Sequence, residues 1–184
     1  MSLRFALLYA ALLMGANPVL AETTALDALR VGEMARMVLV TTPKPASQAE
    51  FTDPSGGSHS LADYQGKVVL LNFWSVSCVP CREEMPALNA LERDLGGDDF
   101  AVVPIAFGYN HPAGLNRFLE RYEIDALPIL LDPKRAVSSM MGVIAPPVTM
   151  LLDRDGNEIG RLIGGADWSS PEAHALIEAA ISAD

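Results

Sequence analysis

Cysteine, histidine and basic residues are the scarce components of this 184-residue chain, which holds two Cys, three His and 13 Lys plus Arg. Two cysteines are too few for a disulfide-stapled scaffold, and a chain of this length buries a core that needs no staples. His59, His111 and His174 lie far apart without ligand spacing, so the sequence offers no four-ligand zinc site. No metal and no cofactor are expected. The basic residues face 23 Asp and Glu, a net charge of −10, and form no cluster in sequence. That sign and spread argue against nucleic acid or an anionic membrane surface as partner. Charged residues make up only 20% of the chain and apolar residues 50%, the composition of one ordinary globular domain.

What is present begins with an address. Met1 to Ala21 carries one basic residue, Arg4, then an apolar run from Phe5 to Met14, Gly15 and Pro18, and the exit Val19-Leu20-Ala21. This reads as a secretory signal peptide cut after Ala21. The run is shorter than the roughly 20 residues of a comfortable span, although Phe5 to Leu20 would anchor the chain in a membrane if left uncut. No Cys sits in or just after the segment, so a lipid anchor is not indicated. The mature protein is expected outside the cytoplasm, in a periplasm-like oxidising compartment. Residues 22–47 read as a helix and a connector. Thr24 caps a helix to about Met37, with Leu26, Leu29, Met34 and Met37 on one face. At that spacing the two methionines read as core rather than copper ligands. Thr41 to Ala49 is a Pro-rich connector.

Residues 48–184 form the main domain. Phe51, the turn Asp53-Pro54-Ser55-Gly56-Gly57 and Ser60 to Tyr64 suggest a short hairpin. Lys67 to Trp74 is nearly all apolar, as expected of a strand covered on both faces of a sheet. Met85, Leu88, Leu91 and Leu95 recur at three and four, and Gly96-Gly97 closes that helix. Phe100 to Phe107 is a strand in which Pro104 demands a bulge or an unpaired side. A helix through Leu115 to Tyr122, a strand at Ile129 to Leu131 and a brief helix near Val137 to Met141 follow. Val148 to Leu152 and Glu158 to Ile163 form a hairpin turned at Asp155-Gly156. Ser170 and Pro171 open the last helix. Helices interleaved with strands in this order describe a three-layer α/β domain.

The chemistry converges on Cys78-Val79-Pro80-Cys81, which follows the buried strand and opens the next helix. A thiol at a helix N-terminus meets free N–H groups and the positive end of the dipole, which lower its pKa below the usual value of about 8.5. Cys78 is expected to be the exposed attacking thiolate. Cys81, one turn further in and screened by Val79 and Pro80, resolves the mixed disulfide. As a structural staple the pair would close a ring too small to stabilise much, so a redox-active dithiol is the reading. Arg82 reads as a solvated surface residue.

The stretch Phe73 to Pro86, FWSVSCVPCREEMP, resembles the thioredoxin-fold TlpA-type thiol:disulfide interchange proteins, relatives of the ResA and CcmG-like reductants of cytochrome c maturation. The likeness extends through Phe51-Thr52-Asp53, Leu61 to Tyr64, Gly66 to Leu70 and Leu151 to Gly156. It implies a thioredoxin-like α/β/α fold with a central mixed sheet and an inserted αβ unit. It also implies a periplasmic protein that passes electrons to oxidised client proteins, among them cytochrome or copper-oxidase assembly components, and is recharged by a membrane thiol donor. Cys78 and Cys81 match the redox pair. Glu84 matches an acidic residue near the active site that tunes the thiols; it equally fits a solvated first-turn acid suited to the helix dipole. Physically, a carboxylate there raises the thiolate pKa and relays a proton to or from Cys81. Asn72 stands where cytoplasmic thioredoxins keep a buried Asp. Pro147 aligns with the family's cis-proline, and with Trp74, Val79 and Pro80 is expected to form the substrate-binding surface. Two departures stand out: Ser77 replaces the Trp usual before the first Cys, and Pro146 removes the N–H that thioredoxins offer a bound substrate strand.

Three functions compete on these residues. A disulfide reductase is favoured by the Pro before Cys81 and by the family frame. A disulfide-forming oxidant uses the same pair with a more stabilised dithiolate. A Cu(I)-handling chaperone binds the soft ion through both thiolates. A thiol peroxidase is disfavoured, since no Cys exists outside the pair.

Overall fold

The computed structural model describes residues 25–183, and the segment read as a signal, residues 1–21, lies outside them. Every residue of Val68–Trp74 (β4) is buried, which a strand achieves only when both faces of its sheet are covered. Its neighbours are β5 (Phe100–Phe107), parallel, and β7 (Val148–Leu152), antiparallel. The other strands are β1 (Val38–Pro45), β2 (Phe51–Thr52), β3 (Ser58–His59), β6 (Leu130–Asp132) and β8 (Asn157–Ile163). Together they make one mixed sheet in the order β1-β8-β7-β4-β5-β6-β2-β3. Helices are α1 (residues 25–29), α2 (Val79–Leu95), α3 (Pro112–Arg121), α4 (Ala136–Met140) and α5 (Pro171–Ser182).

Alternation along β4 assigns the layers. Val68, Leu70 and Trp74 pack with α2, α3 and α5 on one face, where Met85, Leu88, Leu91, Phe118, Leu176 and Ile177 are buried. Val69, Leu71 and Phe73 pack on the other face with Val137 of α4, Met141 and Leu61. The result is the three-layer thioredoxin-like fold, with α3 and β6 as the inserted αβ unit. Pro104 sits in β5 opposite Asn72 without a bulge. The ladder to β6 begins only at Ile105, so one side of Pro104 is unpaired. No helix among the described residues is long and apolar enough to cross a membrane.

Two expectations for the N-terminal part are corrected. The helix expected from Thr24 to Met37 is broken after residue 29: Val31 is extended, and Gly32, at φ +55, opens the 3-10 turn Gly32–Arg36. Glycine alone takes that conformation freely. Leu26, Met34 and Met37 are buried all the same. The connector expected over Thr41 to Ala49 is largely β1, an edge strand paired with β8. Val38, Val40, Thr41 and Thr42 are β-branched and favour extension. Pro43 and Pro45 are tolerated because an edge strand leaves one side without a ladder.

Candidate active site at the start of α2

Cys78 closes the loop after β4 in an extended conformation and caps α2, its Sγ accepting the Cys81 N–H at 3.3 Å. Pro80 follows within the first turn, where a missing N–H costs nothing. Cys78 and Cys81 form a disulfide with their Cα atoms 5.3 Å apart. Cys81 is fully buried and Cys78 partly exposed, so only Cys78 can meet a second protein. The loop is held by buried Asn110, which carries no signal in the sequence. Its Oδ1 accepts the Val76 N–H (2.9 Å) and the Ser75 hydroxyl (3.2 Å). Its Nδ2 donates to the Phe107 and Gly108 carbonyls at 3.2 and 3.3 Å. One side chain thus ties the end of β5 to the segment that carries the cysteine.

The Pro146 carbonyl lies 3.7 Å from Cys78 Sγ, and the Pro146–Pro147 peptide is cis. Beside Cys78 is a shallow depression of 550 Å³ lined by Ser75, Ser77, Pro80, Phe107, Gly108, Tyr109, Arg135 and Pro146. Val79 and Pro80 are exposed next to the disulfide, whereas Pro147 is buried. Trp74 lies elsewhere. It is 3% exposed, its ring 5.5 Å from that of Phe118 in the core, so it supports the strand and does not line the depression. The even spacing of Leu70, Asn72 and Trp74 already assigns it to the inner face.

Glu84 is not a solvated acid, since it is 3% exposed. Its Oε1 accepts from Asn72 Nδ2 at 2.8 Å. Its Oε2 accepts from the Ala166 N–H at 3.2 Å and from Trp168 Nε1 at 3.3 Å. These three donors and the nearby Arg36 charge favour the carboxylate, but burial outweighs them and its pKa is pushed up to about 7. Asn72 also donates to Thr149 Oγ1 at 2.9 Å. A second depression, lined by Glu33, Pro80, Glu83, Glu84, Ala87, Gly165, Ala166 and Asp167, adjoins the buried carboxyl. An acid that titrates near neutrality therefore sits on the same helix as Cys81, one turn on. The loop that supplies Ala166 and Trp168 carries no motif, so nothing in the sequence singles it out.

Comparisons with known proteins address the family and the fold. A model of the AhpC/TSA family matches residues 42–157. The thioredoxin-like protein YneN of Bacillus subtilis (strain 168) is 38% identical over 55% of this chain and 59% of its own. The thiol-disulfide oxidoreductase ResA of Geobacillus kaustophilus (strain HTA426) is 34% identical over 62% of this chain and 64% of its own. The chain thus spans a little under two thirds of these relatives' length. A candidate thiol:disulfide interchange protein DsbE from Chlorobium tepidum superposes with a TM-score of 0.68 at 25% identity, covering 79% of this chain and 100% of that one. The family model covers more than half of the sequence, and the relatives and the superposed structure are thioredoxin-like or thiol-disulfide proteins by name: the chain belongs to the AhpC/TSA family, as a ResA-like member of the thioredoxin superfamily.

Proposed function

We propose that the protein is an exported thiol:disulfide oxidoreductase that reduces the disulfides of client proteins through Cys78 and Cys81. The observation that carries this is the asymmetry of the pair, one sulfur reachable and one buried, at a helix N-terminus with a near-neutral acid behind it. In the reduced protein the Cys78 thiolate attacks a client disulfide. A Cys78–client S–S bond forms, the client bond breaks, and the released client thiolate takes a proton. Cys81 then gives up its proton, for which Glu84 is the acceptor, and attacks Cys78 Sγ. The Cys78–Cys81 disulfide forms and the second client thiol leaves, so two electrons have passed to the client. A dithiol of a membrane protein returns them by the same exchange in reverse.

The signal-like Met1 to Ala21 supports action outside the cytoplasm, in the periplasm. The TlpA-type sequence around the cysteines supports clients engaged in cytochrome c or copper-oxidase assembly. Expression of the Cys81→Ser variant with its leader should trap client proteins in mixed disulfides with Cys78 that a thiol reagent releases. A variant that traps nothing, under conditions where the clients are oxidised, would refute the assignment.

A further inference from the structure

Resting on that reading, we propose that unpaired arginines beside Cys78 form a docking face for an acidic segment of the client. Nine of the ten arginines fall within the described residues. Arg30, Arg36, Arg93, Arg154 and Arg161 each pair with a carboxylate. The four with no such partner among the described residues are Arg82, Arg117, Arg121 and Arg135. All four line the two depressions that flank Val76 to Cys78, and all four are exposed. In a chain with 23 acidic and 13 basic residues, every arginine left without a carboxylate among the described residues thus lines a depression beside the Ser75 to Cys78 loop.

Local structure shows that this placement is held against resistance. Arg135 adopts φ +57, a conformation disfavoured for a side chain with a Cβ and retained where the surroundings enforce it. The buried Asp132 enforces it. Its carboxylate accepts from the Ala136 and Ser138 N–H groups at 2.7 and 2.9 Å and from Ser138 Oγ at 2.8 Å, while its carbonyl accepts the Arg135 N–H at 3.0 Å. The guanidinium is thereby laid over the Phe107 ring, 5.2 Å from its centre, on the wall of the Cys78 depression. On α3, Arg117 and Arg121 stand at i and i+4, a like-charge spacing unfavourable to the helix. Glu120 is the one carboxylate that lines either depression.

Across Pro80 the sign reverses, for the depression on that side carries Glu83 and Asp167, which pair with no cation among the described residues, beside Glu33, which pairs with Arg36, and the buried Glu84. The face around Cys78 is therefore polarised. A client strand with Asp or Glu on one side of its cystine gains attraction in one orientation and meets repulsion in the other, so the charges select both sequence and direction.

The test uses two cystine peptides that differ only in having Asp or Asn beside the reacting disulfide. The full mature protein in its reduced form, wild type and Arg117→Gln/Arg121→Gln, reduces each over a range of salt. The wild type is expected to reduce the Asp peptide several-fold faster at low salt, a preference that fades as the Debye length shrinks to about 3 Å near 1 M. The double variant is expected to lose most of that preference, and Arg117→Glu/Arg121→Glu to reverse it. Equal, salt-independent rates for the two peptides in the wild type would overturn this inference and leave the exchange reading standing. Failure to reduce either peptide would overturn both. Binding of the wild type to phosphatidylglycerol-containing vesicles, lost in the double variant, would assign the arginines to a membrane surface and overturn the proposal.

Discussion

Glu84→Gln should abolish a pH dependence of folding stability that runs between about pH 4.5 and pH 7. The folded carboxyl titrates near 7 against 4.5 for the ordinary group. Below pH 4.5 both folded and unfolded chains hold the proton. As pH rises from there towards 7 only the folded chain retains it, so unfolding releases a proton and stability falls with pH; above about 7 the loss is complete. At about 1.4 kcal/mol per pH unit, the raised value makes the oxidised wild type less stable at pH 8 than at pH 4.5 by roughly 3 kcal/mol from this group alone. The glutamine of the variant has no proton to lose, and its amide can face Asn72 once the Asn72 amide rotates to offer its oxygen. That oxygen has no partner among the described residues in the present arrangement. The assay is urea unfolding of both proteins, as disulfides, at pH 5 and pH 8. The difference between the two proteins' stabilities should change by most of that amount between the two pH values. A difference constant across pH would mean that Glu84 is ionised throughout and that burial does not dominate.

Three further outcomes are expected. Glu84→Gln should lower the pKa of Cys78 by removing a negative charge from the same helix, seen as an alkylation profile shifted to lower pH; an unmoved profile would leave the two groups uncoupled. Trp168→Phe deletes one of three donors to the carboxyl, so the Glu84 titration should move up, followed by the carboxyl signal in carbon-13 NMR; a downward move would contradict the role given to that bond. Asp132→Ala removes the acceptor of three bonds and should cost about 1–3 kcal/mol or more in denaturant unfolding, since the two donors of buried Ser138 are left without a partner. A change below about 0.5 kcal/mol would mean that the Arg135 turn holds itself.

The parts legible in the sequence are those where local pattern and tertiary role coincide. Val68 to Trp74 is apolar because it is covered on both faces, and the Met85/Leu88/Leu91 spacing reflects the face that α2 lays on it. The cysteine pair is read from its position between the two. β1 reads as a connector because its prolines look like breakers; an edge strand forgives them, and nothing local announces that β8 lies alongside. Glu84 is ambiguous in sequence because its burial is made by Ala166 and Trp168, more than 80 residues away. Its partner Asn72 is within reach of sequence reasoning, since it shares a face of β4 with Leu70 and Trp74 and that face meets α2. Arg82, Arg117, Arg121 and Arg135 form no cluster in sequence, and only the fold brings α2, α3 and the loop before α4 to the two depressions beside the Ser75 to Cys78 loop.

The central claim is that Cys78 and Cys81 form a reducing couple. It is tested most directly by equilibrating the protein with thiol buffers of known potential and counting free thiols by mass. The account predicts a reduction potential near or below about −220 mV, in the range of glutaredoxins and thioredoxin. A value near about −120 mV, that of the strong oxidant DsbA, would reverse the direction of electron flow and contradict it.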